Sequence, residues 1–180
     1  ELNLGSNDID ILDKNKFPPN LVTLDLYQNE LITISSSDIP ESVISLNISL
    51  CHITEFDGEE FVNLKKLILT SSELVSFKYP PNIEYLDVSN NSLRELDDFP
   101  PNLNQLDCSN NYLTRLPKIN DTFKKIDMSH NEITEFPEFP DSVTNIEATS
   151  NKISEIKFVP NGLEELNMRD NKLSTLDCML

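Results

Sequence analysis

Apolar residues return along this chain at a fixed set of positions, matching neither the 3.6-residue period of a helix nor the plain alternation of a long strand. The clearest set is Leu103, Leu106, Cys108, Asn111, Leu113 and Leu116, which reads L-x-x-L-x-L-x-x-N-x-L-x-x-L. After it come Phe123, Ile126, Met128, Asn131, Ile133, Phe136, then Val143, Ile146, Ala148, Asn151, Ile153, Ile156, then Leu163, Leu166, Met168, Asn171, Leu173, Leu176. Before it stand Ile83, Leu86, Val88, Asn91, Leu93, Leu96, and further back Leu21, Leu24, Leu26, Asn29, Leu31, Ile34. Two copies replace the asparagine: Leu64, Leu67, Leu69, Ser72, Leu74, Phe77 and Val43, Leu46, Ile48, Cys51, Ile53, Phe56. A truncated first copy is Leu2, Leu4, Asn7, Ile9. The second template position falls at 24, 46, 67, 86, 106, 126, 146 and 166, so the period is 22, 21 and 19 residues and then a steady 20. Such self-similarity is the mark of a solenoid.

Each template position has a physical role. The L-x-L alternation predicts a short strand with one face inward and one outward. A strand this short cannot bury its inner face alone, so successive coils stack into a parallel sheet with strands about 4.8 Å apart. The asparagine amide carries donors and an acceptor, which suits it to turn groups that would otherwise be buried unpaired. The expected structural ladder is Asn7, Asn29, Asn91, Asn111, Asn131, Asn151 and Asn171. Cys51 and Ser72 interrupt it, and a looser stretch is expected there.

The remaining half of each coil carries Phe17-Pro18-Pro19-Asn20, Tyr79-Pro80-Pro81-Asn82 and Phe99-Pro100-Pro101-Asn102, with looser versions at Ile39-Pro40, Phe139-Pro140 and Val159-Pro160. Proline fixes φ and extends its predecessor, so polyproline II is expected on this side, with the residue before each proline pointing inward. A 20-residue period leaves no room for a convex helix. The expected exception is Asp57-Gly58-Glu59-Glu60-Phe61, where Asp57 can cap one helical turn and make its coil bulge.

Across essentially the whole chain these residues resemble the leucine-rich-repeat superfamily. The short period and convex prolines are similar to the bacterial effector class, the YopM-like and IpaH-like proteins, whose coils run L-x-x-L-x-V-x-x-N-x-L-x-x-L-P-x-L-P. Asn102 to Asn120 carries the match best, with Leu103, Leu106, Asn111, Leu113, Leu116 and Pro117; Asn131 to Pro140 follows, with Phe136, Pro137, Phe139 and Pro140. Short proline-containing coils of amoebae and of the large viruses that infect them are similar as well. The resemblance implies a right-handed horseshoe with the sheet on its concave face and little helix. It also implies a module that binds proteins, in one branch as the substrate-selecting arm of a ubiquitin ligase. Residues 1–180 are read as a single leucine-rich-repeat domain of about nine coils, the terminal ones incomplete.

Charge narrows the partner. The 31 acidic and 14 basic side chains leave a net charge of −17. That balance opposes phosphate binding, hence nucleic acid, and opposes an anionic membrane surface; it favours a protein with a basic or polar surface. No stretch reaches the roughly 18 apolar residues of a membrane span, and with 3 glycines no phosphate-cradling loop exists.

The outward positions of the strands form columns. One reads Asn3, Asp25, Asn47, Ile68, Asp87, Asp107, Asp127, Glu147, Asn167, an acidic stripe suited to a basic partner or to plain solvation. Beside it run Tyr27, Ser49, Thr70, Ser89, Ser109, Ser129, Thr149, Arg169, whose small hydroxyls suit tight turning. On the other side are Thr23, Ser45, Lys66, Tyr85, Gln105, Lys125, Asn145, Glu165, varied as partner choice requires. The expected contact set is Asp25, Tyr27, Lys66, Tyr85, Asp87, Gln105, Asp107, Lys125, Asp127, His130, Glu147 and Arg169, with Tyr27 and Tyr85 as anchors and Arg169 next.

Nothing in the sequence points to catalysis, a metal or a cofactor. His52 and His130 have no Ser, Cys or carboxylate at a triad spacing, and a straight acidic column wraps no ion. Cys51 and Cys108 lie three coils apart, about 14 Å, beyond disulfide reach, and Cys178 is farther. Three buried thiols fit a reducing cytoplasm, the chain's own or a host's, better than an extracellular site. Asn47-Ile48-Ser49, Asn90-Asn91-Ser92 and Asn120-Asp121-Thr122 match the glycosylation pattern, as an Asn- and Ser-rich chain does by accident. The expected function is therefore a non-catalytic protein-binding module. The alternatives are a ligase's recognition arm and a structural stack joined through uncapped ends, the chain being a monomer unless those ends stack.

Overall fold

The computed structural model describes residues 1–175, so Leu176 and Cys178 fall outside the description. In chain order its strands are β1 (Leu2–Asn3), β2 (Thr23–Asp25), β3 (Ser45–Asn47), β4 (Glu55–Asp57), β5 (Lys66–Ile68), β6 (Ser76–Lys78), β7 (Tyr85–Asp87), β8 (Gln105–Asp107), β9 (Lys125–Asp127), β10 (Asn145–Glu147) and β11 (Glu165–Asn167). Nine of them make one parallel sheet in the order β1-β2-β3-β5-β7-β8-β9-β10-β11. Its register pairs Leu24 with Leu46, Leu67 with Leu86 and Ile126 with Ile146, the template leucine of each coil on that of the next. The outward residues fall into the columns read from the sequence: Asp87 on Asp107, and Tyr85 on Gln105.

A strand of three residues turns only its middle side chain inward, so the core is a stack rather than a globule. Leu24, Leu46, Leu67, Leu86, Leu106, Ile126 and Ile146 are all buried, as are Leu26, Ile48, Leu69, Val88, Cys108, Met128 and Ala148 just past each strand. Backbone bonds continue the ladder beyond the strands, with Leu26 N donating to Asn47 O at 2.8 Å and Gln28 N to Ser49 O at 2.8 Å.

The chain then turns sharply. The residue before each ladder position is left-handed: Ser6, Gln28, Leu50, Ser71, Asn90, Asn110, His130, Ser150 and Asp170 have φ between 52° and 57°. None is glycine, and such a residue costs roughly 1–2 kcal/mol. The ladder asparagine opposes that cost. Asn111 Nδ2 donates to Val88 O at 3.0 Å in the preceding coil and to Cys108 O at 3.1 Å in its own, while its Oδ1 accepts from Leu93 N at 3.0 Å. Asn131, Asn151 and Asn171 repeat the pattern, each accepting from the preceding coil at Leu113, Ile133 and Ile153. Asn29 and Asn91 bridge coils likewise, and Asn7 donates to Leu4 O. The asparagines thus bond backbone across coils rather than one another.

The convex side differs from expectation in three ways. The prolines open turns: Pro80 O accepts from Ile83 N at 3.3 Å and Pro100 O from Leu103 N at 3.2 Å. The second proline of each pair then holds the i+1 position that a fixed φ suits. Second, single turns of 3-10 helix sit at Lys14–Lys16 and Ser36–Asp38, in the longest coils. Third, no helical turn forms at Asp57–Phe61. Glu55–Asp57 is instead strand β4, paired in parallel with β6 as a second, two-stranded sheet. Asp57 does accept from a backbone N–H two residues on, Glu59 N at 3.1 Å, but the chain it caps is a turn.

That small sheet occupies the coils whose ladder position is Cys51 or Ser72. Beneath it Phe56 stacks on Phe61 and Phe77 with centroids 5.3 and 5.6 Å apart. Phe77–Tyr79, Tyr79–Phe99 and Phe99–Phe123 continue the run. Cys51 and Cys108 are both buried free thiols. The Cys51 thiol stands in for the missing amide, donating to Leu26 O at 3.5 Å. Burial holds both thiols above their ordinary range, Cys108 well above it.

Candidate partner-binding surface

The sheet presents two outward residues per three-residue strand and Asn3 alone from β1. Tyr85 is half-buried with the Lys66 ammonium 4.8 Å from its ring centroid, a cation–π contact across adjacent strands. Burial raises its phenol above the ordinary range, helped by the charges of Asp87 and Asp107. Gln105 and Lys125 continue this column, and Asn145 Nδ2 donates to Glu165 Oε2 at 2.9 Å.

The acidic column is built differently from its appearance in sequence, where it read as a partner stripe or a merely solvated face. Asp87 Oδ1 accepts from Ser89 N at 3.1 Å and from Ser89 Oγ at 2.7 Å, and Asp107 Oδ1 does the same for Ser109 at 3.0 and 2.7 Å. Asp25 caps Tyr27 N, Asn47 caps Ser49 N, Asp127 caps Ser129 N, Asn167 caps Arg169 N and Asn3 caps Gly5 N. The short carboxylate or amide holds the backbone as it leaves the strand, an Asx-type turn. Asp and Asn interchange here because both supply that acceptor. The signal was legible as D-x-S or N-x-S at the ends of β3, β7, β8 and β9, the same pattern that mimics a glycosylation site at Asn47.

The next column accordingly sits in the turn. Ser49, Ser89, Ser109 and Ser129 are buried, so they form no hydroxyl platform; Tyr27 and Arg169, at the same template position, are exposed. His130 is exposed in its left-handed turn. His52 meets Glu30 of the preceding coil at 3.2 Å, an exposed pair.

Asp107 lies in the middle of the acidic run, between Asp87 and Asp127. Burial raises its carboxyl above the usual range; the two Ser109 bonds oppose this, and the charges of Asp87 and Asp127 add to it. Among the described residues no group of three His, Cys, Asp or Glu side chains is arranged to hold a metal ion.

A further set of side chains, missed in the sequence, ties several coils at the turn entering the strand. Ser42 Oγ donates to Pro19 O at 2.9 Å, Asn63 Nδ2 to Glu41 O at 3.0 Å and Asn82 Nδ2 to Val62 O at 2.8 Å. Asn82 of Tyr79-Pro80-Pro81-Asn82 thus shares with Ser42 and Asn63 a second set of ties between coils, away from the asparagine ladder.

Comparisons with known proteins agree with this architecture. The family model described as Leucine Rich Repeat matches residues 82–103. YopM from Yersinia enterocolitica WA-314 superposes with a TM-score of 0.84 at 27% identity, over 99% of this chain and 43% of its own. The leucine-rich-repeat domain of a Shigella effector gives 0.66 at 24% identity over 97% of this chain and 70% of its own. InlJ from Listeria monocytogenes gives 0.75 at 23% identity, over 88% of this chain and 37% of its own. No curated protein sequence matches. The chain thus spans less than half the length of the Yersinia enterocolitica YopM it resembles. Its described residues form a leucine-rich-repeat solenoid whose coils resemble those of bacterial effectors.

Proposed function

We propose that the chain is a non-catalytic binding module that holds a partner protein on the outward face of its nine-stranded sheet. The leucine-rich-repeat fold is typical of protein–protein interaction modules, and the single supporting observation here is the register. Because every strand is in phase with the next, Tyr85, Gln105, Lys125, Asp87, Asp107, Asp127 and Glu147 share one continuous platform rather than scattered loops. Asp25, Tyr27, Lys66, His130 and Arg169 extend it. The platform is acidic on balance, which fits a partner with a basic surface and speeds its approach.

The test is capture of a partner by the immobilised chain, identified by mass spectrometry, followed by the variant Tyr85→Ala with Glu147→Lys. Glu147 is chosen because it caps no turn, so the fold is untouched. Loss of capture with unchanged circular dichroism supports the sheet face; retained capture moves the site to the convex side.

A further inference from the structure

Seven of the nine rungs of the sheet place Asp or Asn at the outward position that caps the following turn; Ile68 and Glu147 are the two that do not. At both, a serine of the preceding coil takes over the duty. Thr70 N donates to Ser49 Oγ at 3.0 Å, and Thr149 N to Ser129 Oγ at 3.2 Å. The backbone at Ile68 therefore makes no demand on that side chain, yet an aliphatic residue stands half-exposed on an otherwise polar face. Lys66 and Tyr85 stand near it on the same outward face. Lys66 shares its strand, Tyr85 stands on the next, and the Lys66 ammonium lies over the Tyr85 ring, 4.8 Å from its centroid. Four acidic rungs follow without a break: Asp87, Asp107, Asp127 and Glu147.

We propose that Ile68, with Tyr85 and Lys66, seats an apolar side chain of a basic partner protein whose Lys or Arg residues then run along the acidic rungs. This rests on the sheet-face reading above and adds the chemistry and polarity of the partner. Ile68 to Glu147 spans four inter-strand steps, about 19 Å, which an extended segment of about six residues covers. The apolar group fixes the position along the sheet, and the acidic run supplies steering and orientation.

The informative variant is Ile68→Asn, which supplies the capping amide used at Asn3, Asn47 and Asn167 without adding a charge beside Asp87, and so should fold as well. The probes are two labelled peptides of about ten residues, alternating Lys and Ser, one ending in Leu and the other in Ser, read by fluorescence anisotropy at low salt. The wild-type chain should prefer the Leu peptide by about tenfold. Ile68→Asn should erase that preference, bind the Ser peptide as well as before, and keep its melting temperature. Equal binding of the two peptides by the wild type, or a Leu preference that survives Ile68→Asn, overturns the seat while leaving the sheet-face reading in place. Failure of the wild type to bind either peptide overturns both.

Discussion

Asn91 Oδ1 accepts from Ser72 N at 3.1 Å and from Leu74 N at 3.0 Å, so one asparagine closes the turn of the preceding coil, whose own ladder residue is serine. Its Nδ2 also donates to Leu69 O at 2.7 Å and Val88 O at 3.0 Å, and the residue is buried. The place where the ladder looks broken in sequence is thus bridged from one side.

Asn91 should therefore matter more than its repeats. Replacing Asn111 by Leu is expected to destabilise by about 1–3 kcal/mol, the cost of leaving buried backbone groups unpaired. Asn91→Leu strands one more N–H and should cost more. Urea unfolding of the two variants decides it, and equal midpoints would contradict the bridging role.

Tyr79 →Phe should stabilise the fold. The Tyr79 hydroxyl oxygen is sealed from solvent and has no hydrogen-bond partner among the described residues, although the residue keeps some exposed surface. Its ring lies between Phe77 and Phe99. Deleting a buried, unsatisfied hydroxyl while keeping the ring is expected to gain about 1 kcal/mol. A lower melting temperature for the variant would show that the hydroxyl has a partner, such as an ordered water.

Asp107→Asn should also stabilise, and in a pH-dependent way. The folded chain holds this carboxyl above its unfolded value, first through burial and then through Asp87 and Asp127. The folded state therefore binds the proton more tightly, so stability falls as pH rises through the raised value and the loss is complete at neutral pH. Asparagine keeps the Oδ1 acceptor for Ser109 and removes the charge, as at Asn3, Asn47 and Asn167 in the same column. Melting at pH 7 should rise by roughly 1–3 °C, and the gain should vanish below about pH 3, where both states are protonated. A gain of equal size in acid would rule out ionisation as its cause.

Gly58→Ala should loosen the convex sheet. A Cβ at Gly58 would lie 2.6 Å from both Lys78 O and Pro80 N, backbone atoms of the following coil that cannot rotate away. The expected cost is about 1–3 kcal/mol, with faster hydrogen exchange at Gly58, whose N–H donates to Lys78 O at 3.0 Å. Unchanged exchange there would mean that the two coils part without cost.

The repeat, its register and the outward columns could all be read from the residues because they are local consequences of one period. An L-x-L strand fixes which side chain goes in, and a constant spacing fixes what stacks on what. Leu86 on Leu106 and Asp87 on Asp107 needed nothing more. The prolines were legible as breakers, but their work as turn openers before Ile83 and Leu103 was not, since the same φ serves a turn and an extended run.

What only the folded chain decided are the relations between coils. Asp57 lies where a helix cap is expected, yet it ends a strand, because Ser76–Lys78 of the next coil offers backbone partners that one isolated turn lacks. The acidic column looked like a surface feature, and its first duty proved to be holding Ser89 and Ser109 in the turn. Thr70 is capped by a serine 21 residues away, which leaves Ile68 free of structural duty. Sequence determines such contacts only through stacking: a hydrogen bond to the preceding coil depends on distances that a single coil, lacking a core of its own, cannot set.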